Sequence, residues 1–218
     1  MKILINAGPT RESIDPVRFI TNRSTGKMGY ALACAAVAAG HEVTLVSGPV
    51  ALTPPEGLKE FIPVTTAAEM AGIMKKIFPS ADLTILCAAV ADYRPRHVSA
   101  SKLKKQPGTL TLELERTEDI ALSLGLLKRP GQRLAGFAAE TESLEQNARK
   151  KLQEKNFDWI AANPVGIPGS GFGFDTNTVK LFSASGTVTD LGSGLKTRLA
   201  EQMIRIFTAG KNNGEDPD

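Results

Sequence analysis

Runs of about four to eight aliphatic and β-branched residues alternate along the chain with longer stretches of helical period, as in βαβ units on a parallel sheet. Lys2–Ala7 (KILINA) predicts a first strand, and Lys27–Ala39 (KMGYALACAAVAA) a helix that Gly40 closes where a left-handed cap is favoured. His41–Ser47 predicts the next strand. Ala67–Phe78 reads as a helix with Thr66 at its N-cap, and Asp82–Val90 (DLTILCAAV) as a strand buried on both faces, because its apolar content is unbroken.

The rhythm then breaks. Tyr93–Pro107 is polar, holds two prolines and a group of lysines, and has no period, which predicts a long loop. Loops beyond about 12 residues in compact domains tend to be functional or mobile. Thr109–Glu115 (TLTLELE) alternates and predicts a half-exposed strand. Asp119–Lys128 follows as a helix, Arg133–Ala138 as a strand, Leu144–Lys155 as a charged amphipathic helix and Trp159–Ala162 as a strand. Val179–Phe182 and Val188–Leu191 flank a glycine-containing turn and predict a hairpin. Lys196–Phe207 predicts a last helix. The expectation is one α/β domain over 1–210, built on an open, doubly wound, mostly parallel sheet with a small antiparallel addition and a long flexible flap, and then a frayed tail, 211–218.

At roughly 150 residues per domain, 218 residues suit one elaborated domain, and 42% apolar content excludes disorder for most of the chain. Twenty-six basic against 23 acidic residues leave a net charge of +3, too diffuse to predict nucleic-acid binding. Cys34 and Cys87 lie in alanine-rich runs, where a cysteine is expected to act as a small buried hydrophobe, and with His41 and His97 they make neither a disulfide framework nor a zinc site. No signal peptide opens the chain and no apolar run reaches the roughly 18 residues of a membrane span, so a cytoplasmic location and no membrane contact are expected.

In doubly wound sheets ligands bind beyond the carboxyl ends of the strands. The segment after the first strand leads to Asn22–Gly29 (NRSTGKMG), where helix-end N–H groups, with Gly26 and Gly29 permitting close approach, would favour an anion; helix-start packing explains the same glycines. A Walker A loop is excluded, since Thr21 and Met28 stand where glycine and Ser or Thr are required. A dinucleotide fingerprint is disfavoured because Ser47-Gly48-Pro49, not an acid, ends the second strand. Ala88 and Ala89 are small enough for a flat group to lie on the backbone, and Asp92 is either a turn residue or a positioning carboxylate. Lys102, Lys104 and Lys105 suit a lid over phosphates or a solvated basic loop. Phe137 suits a base cover or the core, and Lys151 and Lys155, one helical turn apart, share a face.

Taken in order, GPTRESIDPVRFITNRSTGKMG, VTLVSGPV, AAVADYRP, the KLKK run, GFAAET and ARKKLQEKNFDWIAAN resemble the phosphopantothenate-cysteine ligase family over most of the chain. The resemblance implies a Rossmann-like fold, a homodimer, and a reaction in which 4′-phosphopantothenate and CTP give an acyl-cytidylate that L-cysteine converts to the amide. Bacterial members generally use CTP and animal-type members can use ATP. Mg²⁺ is expected with the nucleotide, its ligands unassigned. FMN is not expected, since no cysteine-rich flavin-binding half precedes Met1. The resemblance makes Asn22 the asparagine of amide formation, Lys102 the catalytic lysine of the flap and Asp92 the acid before it. Ala88, Ala89, Glu118, Asp119, Ile120, Ala121, Phe137, Lys151 and Lys155 fall on nucleotide-binding positions. The rivals are an NAD(P)-dependent reductase on the same fold and a non-catalytic nucleotide-binding regulator.

Overall fold

Along the chain run β1 (Lys2–Ala7), β2 (Arg11–Ser13), β3 (Phe19–Thr21), α1 (Lys27–Ala38), β4 (Glu42–Ser47), β5 (Glu60–Pro63) and α2 (Ala67–Ile77). They are followed by β6 (Leu83–Leu86), β7 (Tyr93–Pro95), β8 (Leu114–Arg116), α3 (Ile120–Leu127), β9 (Arg133–Glu140), α4 (Leu144–Glu154) and β10 (Trp159–Pro164). β11 (Thr176–Ser183), β12 (Val188–Leu195) and α5 (Lys196–Thr208) complete the set. This is a computed structural model that describes residues 1–105, 107–140, 143–164, 171 and 173–209; the expected tail, 211–218, lies outside the described residues.

Eight strands form one sheet in the order β12–β11–β10–β9–β6–β1–β4–β5. Neighbours from β5 to β10 are parallel, and the β11–β12 hairpin adds antiparallel strands beside β10. Ranked by appearance, the six parallel strands stand 3-2-1-4-5-6, the doubly wound order, with the winding reversing between β1 and β6. Alternation along the strands divides the core. Ile3, Ile5, Leu45, Leu83 and Ile85 face α1 and α5; Leu4, Val46, Leu134 and Ile160 face α2, α3 and α4. Fully burying one such side chain is worth about 1.5–3 kcal/mol, so the apolar residues of β6 fix the strand whose end builds the site.

The helix ends obey local chemistry. Thr66 and Glu69 form a capping box on α2, the Asp119 side chain caps α3 through Leu122 N–H, and Gly40 follows α1 at φ 78°.

Four expectations need correction. β6 stops at Leu86, not Val90, because Asn6 Oδ1 accepts from Cys87 N–H at 2.8 Å and Ala88 N–H at 3.0 Å and draws the backbone out of the ladder. The segment 93–107 is not all loop: Tyr93–Pro95 pairs with Leu114–Arg116, with ion pairs Arg94–Glu115 and Arg96–Glu113 beside the ribbon. Of the expected strand 109–115 only its end is a strand, since alternation makes a strand only where a partner backbone lies alongside. Cys34 is exposed, because the inward face of α1 is set by Met28, Leu32, Ala33 and Ala36, and Cys87 is only partly buried. β2, β3 and β5 were too short to show a period.

Candidate active site

A cleft of about 600 Å³ opens at the carboxyl ends of β1, β6, β9 and β10, on one side of the point where the winding reverses. Its lining passes from Gly29 to Leu86, so the β4–β5 half of the sheet contributes no residue.

The floor is backbone held by two asparagines. Asn6, 2% exposed at the end of β1, ties down Cys87 and Ala88 as above. Asn22 Nδ2 donates to Ala89 O at 3.0 Å and Val90 O at 3.1 Å. Two carbonyl partners fix the amide orientation, since only the NH₂ end can meet both. Its Oδ1 is left as the atom that can meet a ligand. Ala89 N–H donates to Gly8 O and Ala91 N–H to Thr10 Oγ1, which joins this floor to the segment after β1.

The N-terminus of α1 forms one wall. Gly26 is its N-cap at φ 78°, with no side-chain cap, so first-turn N–H groups are left for a ligand. Gly29 sits against β1: a Cβ there would lie 2.5 Å from Ala7 Cβ. Both glycines line the cleft, and both also have a packing reason to be glycine.

Glu118, Asp119, Ile120 and Ala121 line the opposite wall at the start of α3, with Lys151 and Lys155 at the end of α4 and Phe137 from β9. Lys155 pairs with Asp119 at 2.9 Å, and Lys75 pairs with Glu118 at 2.8 Å. The close approach that places Lys155 depends on Gly125, where a Cβ would stand 2.2 Å from Lys155 O. Lys75, then Ser123, hold the Glu118 carboxyl below its usual range. Burial pushes the Asp119 carboxyl up, but the Leu122 N–H and Lys155 together outweigh it and the net shift is downward.

Sequence reasoning missed Asn6, Lys27 and Lys196, all in the cleft lining. Lys27 Nζ meets Asp175 at 2.7 Å and Gly173 O at 3.1 Å; Lys196, 7% exposed, donates to Gly171 O and Phe174 O. Burial, then Lys27, lowers the Lys196 pKa. Nothing in a lone lysine at a helix start marks it as a cleft residue. With Arg23, Lys151 and Lys155 they make five cationic side chains against the carboxylates of Asp92, Glu118 and Asp119, a balance that suits a polyanion. Among the described residues no group of three or more His, Cys, Asp or Glu could hold a metal ion. Asp92 is exposed in the cleft and its carboxylate makes none of the described hydrogen bonds. That fits Mg²⁺, which typically takes one or two protein carboxylates and completes its shell with phosphates and water.

Lys102 stands apart. It is exposed on the segment between β7 and β8 and does not line the cleft; Lys104 and Lys105 are exposed on the same segment. No helix among the described residues is long and apolar enough to cross a membrane.

The family model described as DNA/pantothenate metabolism flavoprotein C-terminal domain matches residues 1–209. The coenzyme A biosynthesis bifunctional protein CoaBC of Bacillus subtilis is 51% identical over 214 residues, covering 98% of this chain and 52% of that protein, so the chain spans about half the length of that curated relative. The crystal structure of a CoaBC C-terminal domain superposes with TM-score 0.80 at 43% identity, covering 94% of this chain and 92% of the other. A Cab2 variant in complex with phosphopantothenate-cysteine shares the fold, with TM-score 0.76 at 19% identity over 94% of this chain and 86% of its own. The chain belongs to the DNA/pantothenate metabolism flavoprotein C-terminal domain family.

Proposed function

We propose that the cleft joins 4′-phosphopantothenate to L-cysteine with CTP as the activating nucleotide. The observation that carries the reading is the cleft itself, where an open helix N-terminus and five cations surround a backbone floor held by Asn22. A carboxylate resists amines because its charge is delocalised and oxide leaves poorly. Attack of its oxygen on the α-phosphorus of CTP forms an acyl-cytidylate and releases pyrophosphate. Cysteine nitrogen then attacks the acyl carbon, CMP leaves with the former carboxylate oxygen, and one proton is lost.

Each half-reaction draws on different residues. The first needs the triphosphate neutralised, a task for the α1 N-terminus with Lys151 and Lys155. Asp92 would hold Mg²⁺ brought with the nucleotide, and the ion would supply charge neutralisation at the phosphates. Lys102 needs its segment brought over a cleft, which suits a homodimer in which a second copy supplies it. In the second half-reaction the Asn22 amide, held on Ala89 and Val90, presents Oδ1 as an acceptor for the N–H of the incoming amine. The reading places the reaction in the cytoplasm.

The reductase reading is weaker on geometry. Where a dinucleotide site needs an acid at the end of β4, Ser47 is 2% exposed, takes the Tyr30 hydroxyl at 3.1 Å and donates to Gly48 O. Incubating the protein with phosphopantothenate, cysteine and each nucleoside triphosphate in turn tests the ligase reading. CTP-dependent pyrophosphate and amide are the expected products. Binding of CTP without pyrophosphate would leave a regulator, and thermal stabilisation by NADPH alone would favour the reductase.

A further inference from the structure

The segment that carries Lys102 is fastened by residues that do not line the cleft. Asp15, 2% exposed in the turn between β2 and β3, accepts from Val17 N–H and Arg18 N–H at 2.8 Å each, and its Oδ2 takes the Arg18 guanidinium at 3.0 and 2.5 Å. The same Oδ2 accepts from Leu103 N–H at 3.1 Å, while Arg18 Nη2 donates to Leu103 O at 2.9 Å. Both backbone groups of Leu103 are therefore held by one ion pair. Ser99 N–H adds a bond to Ile14 O at 3.0 Å on the other side of Lys102. The Arg18 guanidinium keeps the Asp15 carboxyl well below the usual carboxylate range, so the clamp stays charged at neutral pH.

We infer that Asp15 is a positioning residue: with Arg18 it fixes the backbone on which Lys102 stands. The inference deepens the ligase reading and rests on the role given there to Lys102. It also separates the three lysines, since Lys102 lies between the tethered Ser99 and Leu103 whereas Lys104 and Lys105 lie beyond them. A planar fork and a carboxylate suit this task better than single bonds, because together they fix direction as well as distance.

Two readouts on Asp15→Asn test it. In brief trypsin digestion the wild-type chain is expected to be cut after Lys104 and Lys105 but spared after Lys102, whose scissile bond leads into Leu103; the variant gains the cut after Lys102. In rapid-quench assays the variant slows pyrophosphate release about ten- to a hundredfold, as misplacing a catalytic group does. It matches Lys102→Gln, and the double variant is no slower than either. Amide formation from preformed acyl-nucleotide is unchanged. Arg18→Lys, which keeps the charge and loses the fork, opens the same cut even if Asp15→Asn fails to fold. Identical digestion maps would overturn the clamp itself. A new cut with undiminished pyrophosphate release would overturn its positioning role, as would equal slowing of both half-reactions with a lowered Tm. If Lys102→Gln alone leaves pyrophosphate release unchanged, the role of Lys102 falls and the positioning role with it, while the digestion map still reports the clamp.

Discussion

Asn22 is bound to Ala89 across the floor of the cleft, its amide nitrogen 3.0 Å from the Ala89 carbonyl oxygen and 3.1 Å from that of Val90. An aspartate of the same shape would turn a negative oxygen toward those carbonyls and lose the anchor. Asn22→Asp is therefore expected to release a normal burst of pyrophosphate yet form amide about a hundredfold more slowly, in the range seen when a polar group at an acyl-transfer site is removed. Rapid-quench separation of the two half-reactions reads this directly. Normal product turnover would remove Asn22 from the mechanism.

Asn6 serves the same floor from below. Asn6→Leu leaves the N–H groups of Cys87 and Ala88 without their acceptor, and unmet buried polar groups cost about 1–3 kcal/mol each. An unfolding free energy lowered by about 2–6 kcal/mol in denaturant titration is expected, with weaker nucleotide binding. A variant as stable as the wild type would show that solvent reaches those groups.

Gly29→Ala pushes α1 away from Ala7. Overpacking of this kind costs about 1–3 kcal/mol, and because the helix start is part of the cleft wall, affinity for the triphosphate should fall with stability. Equilibrium unfolding and nucleotide titration of one preparation check both. Lost affinity at unchanged stability would assign Gly29 to ligand contact alone.

Acid should unfold the protein from its carboxylates. Glu118 and Asp119 are held below their usual range by Lys75 and Ser123 in the first case, and in the second by Leu122 N–H and Lys155 against the effect of burial. A carboxylate with a depressed folded pKa adds stability that is present above its unfolded pKa, near 4, and lost as pH falls through the folded value. Burial, then the N-terminal amine, lowers the His41 pKa, so unfolding midpoints should dip as pH falls through about 6.5 and drop further below about 4. The absence of a further drop below about 4 would remove the carboxylates as its source.

If a second copy supplies Lys102, mixing Asn22→Asp chains with Lys102→Gln chains restores a site. Random pairing leaves one competent site in each heterodimer, so about a quarter of wild-type activity is expected after subunit exchange. No recovery in exchanged dimers would place Lys102 over the cleft of its own chain.

Much of this was legible because it is local. Gly40, Thr66 and Asp119 announce helix ends from their immediate neighbours, and the βαβ rhythm sets the doubly wound order. What stayed hidden depends on meetings between distant residues. Asn6 looks like one more strand residue until Cys87, 81 positions on, donates to it. Lys196 reads as an ordinary first-turn cation, and its cleft position follows only from where α5 begins after the hairpin. The lysines of the flap were visible, but that they stand outside the cleft lining was not, because their segment is fastened where Leu103 meets Asp15.

The most direct test follows one oxygen atom. Phosphopantothenate labelled with ¹⁸O in its carboxylate, turned over with CTP and cysteine, should deliver one label to the phosphate of CMP and none to pyrophosphate. Label in inorganic phosphate together with CDP would mean an acyl-phosphate instead, and unlabelled CMP would mean that the carboxylate never attacks the nucleotide.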